Sequence, residues 1–106
     1  VSRALDDIAA ERKRQIDVEG WGARHDDRSG GDLAVAAACY ALPAQRLSMM
    51  VDPYATEGVS LLSSLWPWSH EWWKPKDRRR DLVRAGALIV AEIERIDRLE
   101  ERIGAK

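Results

Sequence analysis

Residues 77–103 read DRRRDLVRAGALIVAEIERIDRLEERI, and the spacing of their apolar side chains decides the fold class. Leu82, Gly86, Ile89, Ile93, Ile96 and Ile103 recur at heptad-like spacing, with Glu100 the misfit in the series. That is the period of one face of a long helix. Arg84, Glu92, Glu94, Arg95, Asp97, Arg98, Glu101 and Arg102 then form the outward, solvated face. On it Glu94 and Arg98 make a favourable i, i+4 pair, and Asp97 with Glu101 an unfavourable one. A helix of this length outruns two short partners, so its distal end either frays or packs on another subunit as a homo-oligomer.

The remaining elements must supply that helix with partners. Residues 3–18 predict a first helix in which Leu5, Ile8, Ala9, Arg12 and Ile16 share a face, with Ser2 as N-cap and Gly20 as terminator. Asp26 to Gly31 reads as a polar connection rich in turn formers. Ser29 and Asp32 resemble a capping box for the Ala-rich run Leu33 to Leu42, whose small side chains suit close packing and which Pro43 stops. Residues 43–75 read as an irregular, Trp-rich connection, with at most a short helix between Val59 and Leu65. Nothing in the pattern reads as a strand. The expected architecture is all-α: one compact domain over residues 1–106, of three to four helices, with a long irregular connection before the C-terminal helix.

Composition narrows the class. The chain has 106 residues, 45% of them hydrophobic and 33% charged, which suits one globular domain. No run approaches the ~20 apolar residues of a membrane span. Asp6, Asp7 and Glu11 interrupt any signal-peptide pattern, and the single cysteine, Cys39, sits in an apolar run, so a cytoplasmic protein is expected. A net charge of −1 makes no general case for nucleic acid.

Three constellations could carry chemistry. Four of the five tryptophans, Trp66, Trp68, Trp72 and Trp73, fall within eight positions, on a segment that Pro67 and Pro75 keep from being one regular helix. In a chain with no phenylalanine at least two of them belong to the core. One or two could instead flank a pocket and stack on a planar base, next to Lys74, Lys76, Arg78, Arg79 and Arg80 at the start of the last helix. Those cations could equally be a solvated face. The second constellation is EGWGARHDD, residues 19–27, where two glycines allow a tight turn around Trp21. His25, Asp26 and Asp27 could address a divalent metal, although their adjacency argues for helix caps or arginine partners. The third is the acidic set Glu92, Glu94, Asp97, Glu100 and Glu101. Its E-x-x-D at Glu94 to Asp97 lacks the paired helix that magnesium-binding all-α nucleotide pyrophosphatases carry, so it reads as a surface face.

These motifs give the chain a resemblance across nearly its whole length to a group of short phage and prophage proteins. They share E-R-x-R-Q (Glu11 to Gln15), E-G-W (Glu19 to Trp21), H-D-D (His25 to Asp27), A-x-x-Y (Ala37 to Tyr40), W-P-W (Trp66 to Trp68), W-W-K-P (Trp72 to Pro75) and the run Asp81 to Arg95. The chain is also similar, more distantly, to the helical repeat domain first described in ryanodine receptors. Gly20-Trp21, Asp26-Asp27 and Asp77-Arg78 fall in that domain's order, while its His-Pro and Leu-Val-Pro-Tyr segment is missing or rewritten around Leu33 to Tyr40. Bacterial domains of that kind have been proposed to sense nucleotide-derived signals. A free-standing phage copy then implies an anti-defence decoy that sequesters a host immune nucleotide.

The leading expectation is therefore a module that binds a nucleotide-like anion without turning it over and without a cofactor or metal. Trp21, Trp66 or Trp73 would stack on the base, and Lys74, Arg78, Arg79, Arg12 or Arg14 would meet phosphate. His25, Asp26 and Asp27 would address ribose or amino groups. The alternatives are a metal-dependent nucleotide hydrolase using Glu11, His25, Asp26, Asp27 and Glu94, and a protein–protein interaction module with tryptophans in the core.

Overall fold

The computed structural model describes residues 2–43, 49, 50 and 60–104. Among these residues the fold is all-α. Helices α1 (Arg3–Asp17), α2 (Ala23–Ser29) and α3 (Asp32–Ala41) are followed by a short α4 (Leu61–Leu65), a single 3-10 turn (His70–Trp72) and the long α5 (Arg78–Gly104). Much of the irregular connection expected between residues 43 and 75 lies outside the described residues.

The hydrophobic centre is the contact of α3 with α5. Leu33, Ala36, Ala37, Cys39 and Tyr40 meet Ala85, Leu88 and Ala91, with Trp66 closing one end. Small side chains on both helices let the backbones approach, as the Ala-rich run predicts. Burying Leu33 and Leu88 contributes about 1.5–3 kcal/mol each.

This contact reverses the expected orientation of α5. Its buried face carries Asp81, Val83, Ala85, Ala87, Leu88 and Ala91. Leu82, Ile89, Ile93, Ile96 and Ile103 of the heptad series are exposed. The alanines of α5 win the interior where α3 offers Ala36, Ala37 and Cys39 between Leu33 and Tyr40. Gly86 is the exception in the series, since a Cβ there would stand 2.8 Å from Ile8 Cδ1, and α1 crosses α5 at that point.

The face of α1 is rotated in the same way. Leu5 and Ile16 are exposed, while Arg12 of the expected face is buried and Glu11 and Gln15 are buried beside it. Charge pairing accounts for this, because the buried Glu11 and Arg12, like the half-exposed Asp7, find partners on another element. Asp7 meets Arg79 at 2.8 Å, Glu11 is bound by Arg80, and Arg12 reaches Glu94 at 2.9 Å. Glu94 and Arg98 consequently do not pair with each other, since Arg98 binds Asp27 at 2.9 Å and ties α2 to α5.

Two local expectations are corrected. Residues 23–29 are helical rather than a polar connection. Their sequence ARHDDRS has no apolar period to announce a helix, and tertiary ion pairs supply the stability that propensity does not. No capping box forms at Ser29, whose hydroxyl donates to the His25 carbonyl at 3.0 Å while Gly31 caps α3. At the first helix Ser2 does cap, accepting from the Leu5 N–H at 3.2 Å.

Candidate functional site

The end of α1 sets the site. Gly20 adopts a left-handed φ of 74°, which costs a glycine little. The turn it allows lets the Trp21 N–H donate back to the Gln15 carbonyl at 2.9 Å, closing the end of α1. Arg12 then anchors the segment beyond the turn. Its guanidinium donates to the Trp21 carbonyl at 3.1 Å and to the fully buried Asp26 at 2.7 Å. Asp26 also holds His25, whose Nδ1 lies 3.1 Å from Oδ1. The imidazole is thereby set nearly parallel to the Trp21 ring, at 12° and 5.8 Å between centroids.

The tryptophan run supplies the opposite wall. Trp66 is buried and its indole N–H donates to the Ser69 carbonyl at 3.0 Å, folding the segment back around Pro67. Trp73 packs on Tyr40 at 4.7 Å and on Trp66 at 5.0 Å. With these two in the core, Trp68 reaches Trp21 at 5.6 Å and His25 at 6.2 Å. Trp72 stays half in solvent, with Lys74 Nζ 5.6 Å from its ring centroid. Glu19, Gly20, Trp21, His25, Trp68, Ser69 and Trp72 enclose an open cleft of about 450 Å³. Walls of this kind can stack on a planar ring.

A small polar pocket adjoins the cleft, and Glu19, Trp21 and Trp72 line both. The remaining walls are Glu11, Arg14, Gln15, Tyr40, Lys74 and Arg84. Arg14 binds Glu11 through two hydrogen bonds of 2.8 Å and Glu19 at 3.0 Å. Burial pushes the Glu11 carboxyl up, but Arg14 and Arg80 outweigh it and hold the group below the ordinary carboxylate range. Burial raises the Tyr40 phenol, against the pull of the nearby Arg84 charge, so it keeps its proton. Its oxygen accepts from the Lys74 N–H at 3.3 Å. The Arg84 guanidinium lies 5.7 Å from the Tyr40 ring centroid.

The structure distributes the sequence-derived candidates unevenly. Trp21 and His25 line the cleft, Arg14 and Lys74 line the pocket, and Trp21 belongs to both. Arg12 and Asp26 lie beneath the site as a buried pair that positions Trp21 and His25. Trp66 and Trp73 stand in the core or against it. Asp27 binds Arg98, Arg79 binds Asp7, and Arg78 donates to the Ala41 carbonyl at 2.6 Å. The Asp77 and Asp81 carboxylates already accept from the Arg80 and Lys76 backbone N–H groups at the start of α5. The carboxylates of the hydrolase alternative are each held by arginine, and no group of three or more His, Cys, Asp or Glu able to hold a metal occurs among the described residues.

Sequence reading missed Trp68, Trp72, Gln15, Glu19, Tyr40 and Arg84 as lining residues. One signal was available. Glu11 and Gln15 are four apart on α1, and so face the same way as each other. Comparison of the chain with protein-family models, with curated proteins and with solved structures gave no match.

Proposed function

We propose that the protein is a binding module for a small, planar, anionic ligand of the nucleotide class, which it holds without turnover. The observation that carries this reading is the junction of an aromatic cleft with a cation-bearing pocket along Glu19, Trp21 and Trp72. In this reading the ring enters the cleft and stacks on Trp21 or Trp68, with His25 at its edge. The anionic end is met at the rim by Lys74, whose ammonium has no carboxylate partner among the described residues, with Arg14 and Arg84 behind it. A cleft of about 450 Å³ is within the usual range for small-molecule sites. The phage-like motifs make sequestration of a host immune nucleotide the biological setting we propose. The test is tryptophan fluorescence against a nucleotide panel that includes cyclic oligonucleotides and ADP-ribose derivatives. A saturable quench that Trp68→Ala removes supports the reading, and an unresponsive wild-type protein overturns it.

A second reading concerns association, and the exposed stripe on α5 favours it. Ile89, Ile93, Ile96 and Ile103 lie in heptad register on a face that no element among the described residues covers, flanked by charges of both signs. That pattern suits a second copy of the same helix. We propose that the protein self-associates along α5, on a face separate from the cleft residues.

A further inference from the structure

Two buried polar atoms, Gln15 Oε1 and Arg84 Nε, have no hydrogen-bond partner among the described residues. Both belong to residues lining the small pocket beside the cleft. Gln15 is only 2% exposed, so water outside the protein does not serve it. Its orientation follows from charge. The amide nitrogen faces Glu11 Oε2 at 3.4 Å, and turning the amide over would set its oxygen against that carboxylate. Glu11 is itself pinned by Arg14 and Arg80. Arg84 is committed through Nη1 to the Lys74 carbonyl, and its Nε is buried without a partner among the described residues. Buried donors and acceptors in native proteins are almost always paired, so each of these calls for a partner, and both residues line the same small pocket.

We infer that this pocket is a subsite for one hydroxyl group of the ligand held in the cleft, which makes the preferred ligand a ribonucleotide over its deoxy counterpart. The inference rests on the proposed binding of a nucleotide in the cleft. A hydroxyl donates to Gln15 Oε1 and accepts from Arg84 Nε, and the Tyr40 phenol offers a further donor. Other groups fit less well. The free space is about 20 Å³, close to that of one water, and too small for a phosphate. A phosphate would also lie against Gln15 Oε1, Glu11 and Glu19. An ammonium satisfies Gln15 but not Arg84, and a methyl satisfies neither. The phosphate therefore stays at the Lys74 rim while the sugar turns inward past Trp72.

The experiment is isothermal titration calorimetry with ribonucleoside monophosphates of the four common bases, each run against its 2′-deoxy and 3′-deoxy forms. For the base that binds, at least one deoxy form is expected to bind about 10- to 100-fold more weakly, the usual consequence of leaving a buried donor and acceptor unmade. Gln15→Met should shrink the ratio, with the ribo form losing more affinity than the deoxy form, because the hydroxyl then keeps only its bond from Arg84. If that variant fails to fold, the wild-type ratio decides without it. Equal wild-type binding of all three forms, abolished together by Trp68→Ala, overturns the hydroxyl subsite and leaves the cleft standing. Silence of these monophosphates overturns the hydroxyl subsite, and silence of the cyclic oligonucleotides and ADP-ribose derivatives as well overturns the cleft.

Discussion

Replacing Arg12 with methionine should nearly unfold this protein, because Arg12 neutralises a carboxylate that has no access to water. Its guanidinium sits 2.7 Å from Asp26, and the two side chains are 8% and 0% exposed. Methionine keeps most of the volume and removes the charge. Glu94, the second partner, is half exposed and can rehydrate, so the cost rests on Asp26. Removing one member of a buried pair costs about 3–5 kcal/mol, since the other is left buried and uncompensated. In a domain whose total stability is about 5–15 kcal/mol, and where each kcal/mol moves Tm by about 4–8 °C, a fall of roughly 12–40 °C is expected. The assay is thermal melting followed by circular dichroism, on Arg12→Met, Asp26→Asn and the double variant. Because the penalty belongs to the orphaned charge, the double variant should melt above Arg12→Met alone. A fall of less than about 4 °C, or singles that simply add, would refute the idea that this pair anchors the site.

Glu11 makes stability depend on acid. Its folded pKa is depressed below the ordinary value of 4.5 by Arg14 and Arg80, in spite of burial. The contribution is therefore complete above the unfolded value and is lost as pH falls through the lower folded value. Melting temperatures should drop as pH falls below the ordinary carboxylate value of 4.5, and Glu11→Gln should flatten that limb while lowering stability at neutral pH. The outward stripe of α5 gives a further expectation. Ile93→Glu with Ile96→Glu should dissociate a wild-type dimer in sedimentation velocity without loss of helix, because the two side chains are 52% and 40% exposed. A wild-type protein that sediments as a monomer at micromolar concentration would remove the self-association reading.

The helical class, the ends of α1, α3 and α5, and the presence of core tryptophans were legible, because they follow from period, caps and the lack of phenylalanine. Which face of α5 turns inward was not. The isoleucine stripe is the more hydrophobic face, but α3 presents alanines, and shape complementarity to Ala85 and Ala91 decided the packing. The same limit hid the lining of the site. Trp68 and Trp73 are indistinguishable as residues, and only the fold-back at Trp66 and Ser69 sends one to the cleft and the other to Tyr40. The basic run was legible as charge but not as purpose. Arg78, Arg79 and Arg80 hold Ala41, Asp7 and Glu11, partners that lie 37, 72 and 69 positions away in the chain.

A planar ligand seated between Trp21, Trp68 and Trp72 would be reported one residue at a time by the indole N–H signals of the five tryptophans. The decisive experiment is a two-dimensional proton–nitrogen spectrum of the labelled protein titrated with the nucleotide panel, each indole assigned by single substitution. The Trp21, Trp68 and Trp72 indoles are expected to move together and saturably, while Trp66, tied to the Ser69 carbonyl, stays nearly fixed. Five indoles that all stay in place across the panel, or shifts confined to Trp66 and Trp73, would contradict a ligand site in the cleft.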